Sequence, residues 1–114
     1  MEDIIDSMKD KLSKRKLYIL VREDIGIGHA KNCVSHAAAA AVRKWSGDTD
    51  FELWHEHSFR KVTCKVSRGT FEESKKFEDH IVISEDVLND TEVAIIFKPR
   101  EEWPEFFRRL RLYS

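Results

Sequence analysis

A chain of 114 residues is long enough for one domain with its own hydrophobic core and too short for two. Its 20 basic and 21 acidic side chains nearly cancel, giving a formal net charge of -1, so a nucleic-acid partner would need a local basic patch. Two cysteines are too few for a disulfide framework, no apolar run reaches membrane-spanning length, and the N-terminus does not resemble a secretory signal, which together predict a cytoplasmic protein without membrane contact.

The first predicted element is an amphipathic helix at the N-terminus. Apolar side chains recur there at helical spacing, with charged and polar residues between them. We assign residues 1–15 to this helix and residues 16–114 to the folded domain. The apolar positions are Ile4, Ile5, Met8 and Leu12.

A strand, a glycine-containing turn and a long alanine-rich helix follow in that order. The strand is the apolar run 17–22, and the helix begins near Gly28 and ends near Trp45. A helix N-terminus has unpaired backbone N–H groups, and open α/β sheets bind ligands at the carboxyl ends of strands, so this junction is the first candidate site. Gly26 and Gly28 indicate a structural turn, with a close approach of the backbone or a positive φ just before the helix.

The remaining chain alternates between predicted helices and strands, which indicates an α/β layer architecture. Two capping-box patterns, Thr49–Glu52 and Thr70–Glu73, predict helix starts, and the second of these helices would end near Asp79. A last helix would start near Glu101, and residues 110–113 are either its tail or a short edge strand. Strands are predicted at 17–22, 61–67, 80–84 and 91–97, and a polar loop at 85–90.

The side chains with the most reactive chemistry lie on the alanine-rich helix. His29, Cys33 and His36 are spaced i, i+4 and i+7, which places them within about 60° of one another around an α-helix. Cys33 or His36 could act as a nucleophile or base, since the helix dipole favours a thiolate in the first helical turn. Zinc is an alternative if a fourth ligand comes from elsewhere, although no Cys-x-x-Cys knuckle is present. A buried thiol beside a hydrogen-bonded histidine is the structural alternative.

Basic residues cluster around the second strand and again near the C-terminus. Alternation along 61–67 places Lys61 and Lys65 on the face opposite Val62, Cys64 and Val66. Such a face could hold phosphates through point-charge contacts, or it could be an ordinary solvated surface. The predicted nucleic-acid contacts are Lys31, Lys61, Lys65 and Arg68.

The segment after the first strand, Gly28-His-Ala-Lys-Asn-Cys-Val-Ser-His-Ala37, resembles the signature of type 2 peptidyl-tRNA hydrolases, Gly-Lys-x-Ala-Ala-Gln-x-x-His-Ala. The ending, from 93–99 through 110–113, looks like that family's last strand, proline turn and closing helix. The spacing is also similar to that of the divergent branch called peptidyl-tRNA hydrolase domain-containing proteins. The resemblance covers residues 16–114 and implies a three-layer α/β/α fold with a mixed sheet of about four strands.

The chain departs from the family pattern at reactive positions. His29 stands where the family has lysine, and Cys33 where it has glutamine. The family segment Asp-Ala-Gly-Arg-Thr-Gln has no counterpart, and residues 84–90 occupy that region. His36 carries over by position. The catalytic candidates are therefore His36 from the resemblance, and His29 and Cys33 from their own chemistry at the start of the helix; no cofactor and no metal are expected.

Two main functions remain open at this point, beside the remoter option of a metal-binding protein that uses His29, Cys33 and His36. The first is hydrolysis of the ester between a peptide, or an aminoacyl group, and tRNA; the second is a catalytically inactive homologue that binds RNA or a protein partner. The missing segment favours the second, whereas the two glycines and His36 favour the first. The resemblance implies tRNA or peptidyl-tRNA as a partner and is compatible with a homodimer.

Overall fold

A computed structural model describes residues 14–113, so nearly all of the helix predicted over 1–15 lies outside the described residues. A short 3-10 turn, Asp86–Leu88, separates the last two strands. The strands are β1 (Lys16–Arg22), β2 (Arg60–Val66), β3 (His80–Glu85) and β4 (Thr91–Arg100). The helices are α1 (Ile27–Trp45), α2 (Thr49–His57), α3 (Arg68–Ser74) and α4 (Glu105–Arg108).

The four strands form one mixed sheet in the order β2-β1-β4-β3. β1 pairs in parallel with β2 and antiparallel with β4, and β4 pairs antiparallel with β3. A central strand covered on both faces needs a continuous apolar run, and Leu17 to Val21 supplies one. The predicted α/β class and the sheet of about four strands are confirmed.

Helices cover both faces of the sheet. Leu17, Ile19 and Val21 belong to the core under α1 and α2, whereas Tyr18 and Leu20 belong to the core under α3 and α4. This division follows from the alternation of side chains along a strand. Two hydrophobic cores therefore lie on opposite sides of β1. α1 packs on one of these faces, and its N-terminus follows the carboxyl end of β1.

The structure places both N-cap residues earlier in the chain than the two predicted capping boxes do. Asp48 caps α2, because its carboxylate accepts a hydrogen bond from the Phe51 backbone N–H at 3.1 Å. Ser67 caps α3, because its hydroxyl oxygen accepts from the Thr70 N–H at 3.2 Å. In each case an equally good or better N-cap residue precedes the predicted one. α3 also ends at Ser74, short of the predicted Asp79.

The C-terminal region differs from its prediction at the end of β4 and at the start of the last helix, which begins at Glu105 rather than Glu101. β4 continues through Pro99 to Arg100, because the register shifts between Lys16 and Tyr18 of β1, and proline is tolerated at such an irregularity. Of the two alternatives for residues 110–113, the structure supports pairing at the sheet edge: Leu112 forms an isolated antiparallel bridge with Cys64, so the outer edge of β2 is partly covered. Two backbone hydrogen bonds, of 3.0 and 2.9 Å, support this pairing.

Candidate functional site

The junction between β1 and α1 leaves a helix start without a side-chain cap. β1 ends at Arg22, and Gly26 is the N-cap residue of α1. The first helical hydrogen bond runs from the Ala30 N–H to the Gly26 oxygen at 3.0 Å. The N–H groups of the preceding residues have no partner within the helix, and the first turn carries no acidic side chain. Backbone donors therefore point towards solvent at the carboxyl end of a strand.

The two glycines at this junction do not have the turn role that the sequence predicted. Gly26 has φ -58°, so its backbone lies in a region open to any residue. A Cβ atom added at Gly26 or Gly28 would meet no other atom within 4 Å. The predicted positive φ is wrong, and no close approach within the protein requires glycine here, whereas a close approach of a ligand stays a prediction. The missing side chains instead leave space beside Gly26 and Gly28, while the exposed Ile27 side chain stands between them.

An ion pair fixes the loop that leads into α1. Arg22 is buried and donates from Nε and Nη2 to the two carboxylate oxygens of Asp24, at 3.0 and 2.6 Å. Its Nη1 donates to the Glu92 carbonyl at 2.9 Å, which ties the loop to β4. The hydrogen bonds from Arg22 lower the pKa of Asp24. Because the guanidinium neutralises this carboxylate, the loop repels an anionic ligand less than its two acidic residues suggest.

Cys33 does not have the reactive environment that the sequence predicted. It lies in the second turn of α1, is 0% exposed, and its Sγ is 3.8 Å from Oε2 of Glu85. Burial, reinforced by Glu85, raises the pKa of this thiol to about 11. A thiol in this environment is not activated as a thiolate, which argues against the predicted role of Cys33 as a nucleophile. It can act as a hydrogen-bond donor to the carboxylate.

Glu85 is the site residue that sequence reasoning missed. It was expected to open a polar loop, but it is the last residue of β3 and only 4% exposed. Alternation along β3 could have found it, because Ile83 belongs to the core under α1 and Glu85 is the next residue in phase with it. Burying a carboxylate costs free energy unless the group is well paired. The position of Glu85 beneath α1 is therefore a candidate functional feature.

His29 and His36 lie on the flank of α1 that also carries Cys33. His29 is half-buried in the first turn, and His36 is exposed two turns later. Of the three predicted catalytic residues, the structure brings Cys33 against Glu85 and leaves the two imidazoles open to solvent. Within residues 14–113, no group of three or more His, Cys, Asp or Glu side chains could hold a metal ion, so the zinc alternative has no ligand set there.

The predicted phosphate-binding residues do not all lie on one surface. Lys61 and Lys65 project from the face of β2 that lies on the α1 side, as the alternation predicted, and Lys31 lies across from them on α1. Arg68 instead opens α3, whose Phe71 belongs to the opposite core. Three lysines therefore share one side of the sheet, and Arg68 is separated from them.

Comparison with known proteins supplies no family assignment: no family model matches the chain, and no curated protein matches it. None of the helices within residues 14–113 is both long enough and apolar enough to cross a membrane.

Proposed function

We propose that this chain is a type 2 peptidyl-tRNA hydrolase-like protein that hydrolyses the ester joining a peptide, or an aminoacyl group, to tRNA. One observation carries the proposal: α1 begins without a side-chain cap, His29 and His36 lie on one flank of it, and its Cys33 contacts the buried Glu85 of β3. Hydrogen-bond donors, candidate bases and a carboxylate are thus all carried by α1 or by the strand that packs beneath it. The resemblance of this segment to the hydrolase signature points to the same place.

Ester hydrolysis needs a donor for the oxyanion and a base for the attacking water. The water oxygen adds to the ester carbonyl carbon, and the developing negative charge falls on the carbonyl oxygen. The free N–H groups at Ile27, Gly28 and His29 are suited to that charge, since the helix dipole adds to their effect. A neutral imidazole at His29 or His36 accepts the proton from water and returns it to the ribose oxygen that leaves.

Glu85 and Cys33 would act beneath this exposed layer. A protonated thiol donates weakly to the carboxylate and leaves most of its hydrogen-bonding capacity available. A carboxylate so placed can orient a water or stabilise an imidazolium that forms during the reaction. Cys33 is thereby a positioning residue in the proposal, rather than a nucleophile.

Release of peptide from purified peptidyl-tRNA tests the proposed activity. We expect His36→Ala to lower the rate by about 10²-fold, the lower range for loss of a general base. His57→Ala is the matched control, because His57 is also an exposed helical histidine but lies on α2. The control variant should keep the wild-type rate. Equal activity of His36→Ala and wild type would remove His36 from the proposed mechanism.

A catalytically inactive homologue that binds RNA or a protein is the second candidate. The observation that favours it is the protonated, buried Cys33, which replaces the family glutamine without supplying a reactive group. If wild type releases no peptide above buffer but retains RNA binding, this second function replaces the first.

A further inference from the structure

A groove runs along the side of α1 that faces β2. Its first hollow, of about 130 Å³, lies between α1, α2 and the start of β2. Its second hollow, of about 430 Å³, lies between the first half of α1 and the C-terminal edge strand. We call this surface the α1–β2 groove. It is defined by Val34, Val42, Phe59, Lys61, Thr63 and Tyr113.

The two hollows adjoin each other. Ala38 lines the first and Val34 the second, about one turn apart on α1. Lys61 lines the first hollow and Thr63 the second, and these two residues lie about 7 Å apart on one face of β2. β2 is at the edge of the sheet, and the C-terminal residues that bridge to it line the outer side of the second hollow. The groove therefore forms one elongated surface with a mainly apolar floor.

An ammonium group lies against an aromatic ring at each end of the groove. Nζ of Lys61 is 3.3 Å from the ring centroid of Phe59, and Nζ of Lys65 is 4.6 Å from that of Tyr113. Lys31 adds a third cation beside the second hollow. Within the described chain, no carboxylate lines either hollow. Burial lowers the pKa of Lys61, so an anionic ligand would stabilise its charged form.

Phe59 adopts a backbone conformation that its bulk disfavours. It follows α2 with φ 61°, in the left-handed region where glycine is the usual residue, and it remains 53% exposed. The Phe59 N–H donates to the Trp54 carbonyl at 2.7 Å, so the left-handed turn ends α2 and holds the ring at the surface. The ring stands at the mouth of the first hollow, beside Trp54 at a centroid distance of 5.1 Å.

We propose that the α1–β2 groove binds a short segment of single-stranded RNA, with its phosphates on Lys31, Lys61 and Lys65 and its bases against the apolar floor and the rings of Phe59 and Tyr113. Single-stranded nucleic acids are held in this way, by cations that follow the backbone and rings that stack on bases. The span from Lys61 to Lys65, about 13 Å along a strand, matches about four stacked nucleotides. The proposal shares with the proposed function only the premise that RNA is the partner, and it does not require ester cleavage.

The pairing of each ring with an ammonium favours RNA over an acidic amphipathic peptide. A peptide helix would leave the two ring–ammonium pairs without a specific role, whereas the bases and phosphates of RNA use both parts of each pair. The first hollow is also close to the roughly 150 Å³ that holds one benzene ring, so it suits a single planar group.

Fluorescence anisotropy with a labelled single-stranded RNA of about ten nucleotides tests the proposal. The double variant Lys61→Ala/Lys65→Ala should weaken binding about tenfold or more and reduce the salt slope by about 1.4, at about 0.7 for each phosphate contact. Phe59→Gly should weaken binding at least about fivefold through lost stacking, while glycine suits the backbone at that position. The control Arg43→Ala/Lys44→Ala removes two exposed cations at the end of α1 and should change affinity less than about twofold.

Three outcomes would overturn the groove assignment: no RNA binding by wild type, equal binding by the groove and control variants, or equal competition by duplex RNA. Preferential binding of a synthetic peptide of residues 1–13 at the groove would assign it to a peptide instead. The same samples are assayed for peptide release. Groove-dependent RNA binding without release would contradict only the hydrolase proposal, whereas release with unchanged RNA binding in the groove variants would contradict only the groove.

Discussion

Glu85→Gln is expected to lower the rate of peptide release from peptidyl-tRNA by about 10²-fold or more while the protein stays folded. Glutamine has nearly the same shape as glutamate but lacks its charge. Glu85 is 4% exposed and the Cys33 thiol that contacts it is a weak donor, so little stabilising hydrogen bonding is lost with the charge. Replacing it should therefore leave the midpoint of thermal unfolding unchanged or raised. Activity and stability should change in opposite directions.

Asp86→Asn is the matched control for this variant. Asp86 is the next residue along the chain, is exposed, and starts the 3-10 turn. Loss of its charge should leave the rate within about twofold of wild type, the size of an ordinary surface effect. A Glu85→Gln protein with full activity would show that the buried carboxylate has no part in the chemistry. A Glu85→Gln protein that unfolds would show instead that the charge is a structural requirement.

Phe107→Ala is expected to lower the free energy of unfolding by about 3–5 kcal/mol. The Phe107 ring is 1% exposed and lies at the centre of the core under α3 and α4. Its centroid is 4.8 Å from those of both Phe97 and Trp103, and 5.3 Å from that of Tyr18. α4 has only four residues, too few for a stable helix on their own, so this packing is what holds it in place.

Urea unfolding measures this effect, with Phe106→Ala as the control. Phe106 is adjacent and half-buried, so its truncation should cost less than half as much. An equal loss in the two variants would mean that the core under α4 is not organised around Phe107. A loss below about 1 kcal/mol for Phe107→Ala would mean that the site collapses around the missing ring.

The elements that the sequence predicted best are those in which local pattern and tertiary burial agree. The continuous apolar run of β1 predicts a strand covered on both faces, and the alanine-rich segment predicts a helix that packs closely on it. Helix starts were less predictable, because Asp48 and Thr49, or Ser67 and Thr70, compete as caps. Which residue becomes the N-cap depends on where the preceding chain leaves the sheet. A local sequence pattern does not contain that information.

The candidate site was predictable in place but not in chemistry. The order strand, turn and helix located the junction and its free N–H groups. Helical spacing alone could not decide whether Cys33 is a reactive thiol or a buried one, although free cysteine is usually buried. Nor could it show that Glu85 lies against that thiol, since the two residues meet only when β3 packs under α1. Phe59 carries no sequence signal for its left-handed backbone.

The central claim is that the ester sits over the start of α1, and peptide release by a Gly28→Leu variant tests it most directly. A side chain at Gly28 meets nothing within 4 Å inside the protein, and leucine favours a helix more than glycine does, so the variant should be at least as stable as wild type. Gly69→Leu on α3 is the control, because its Cβ also meets nothing. We predict release by wild type and Gly69→Leu, and at least a tenfold lower rate, about 1.4 kcal/mol, for Gly28→Leu. No release by wild type, or full activity in Gly28→Leu, would contradict the claim.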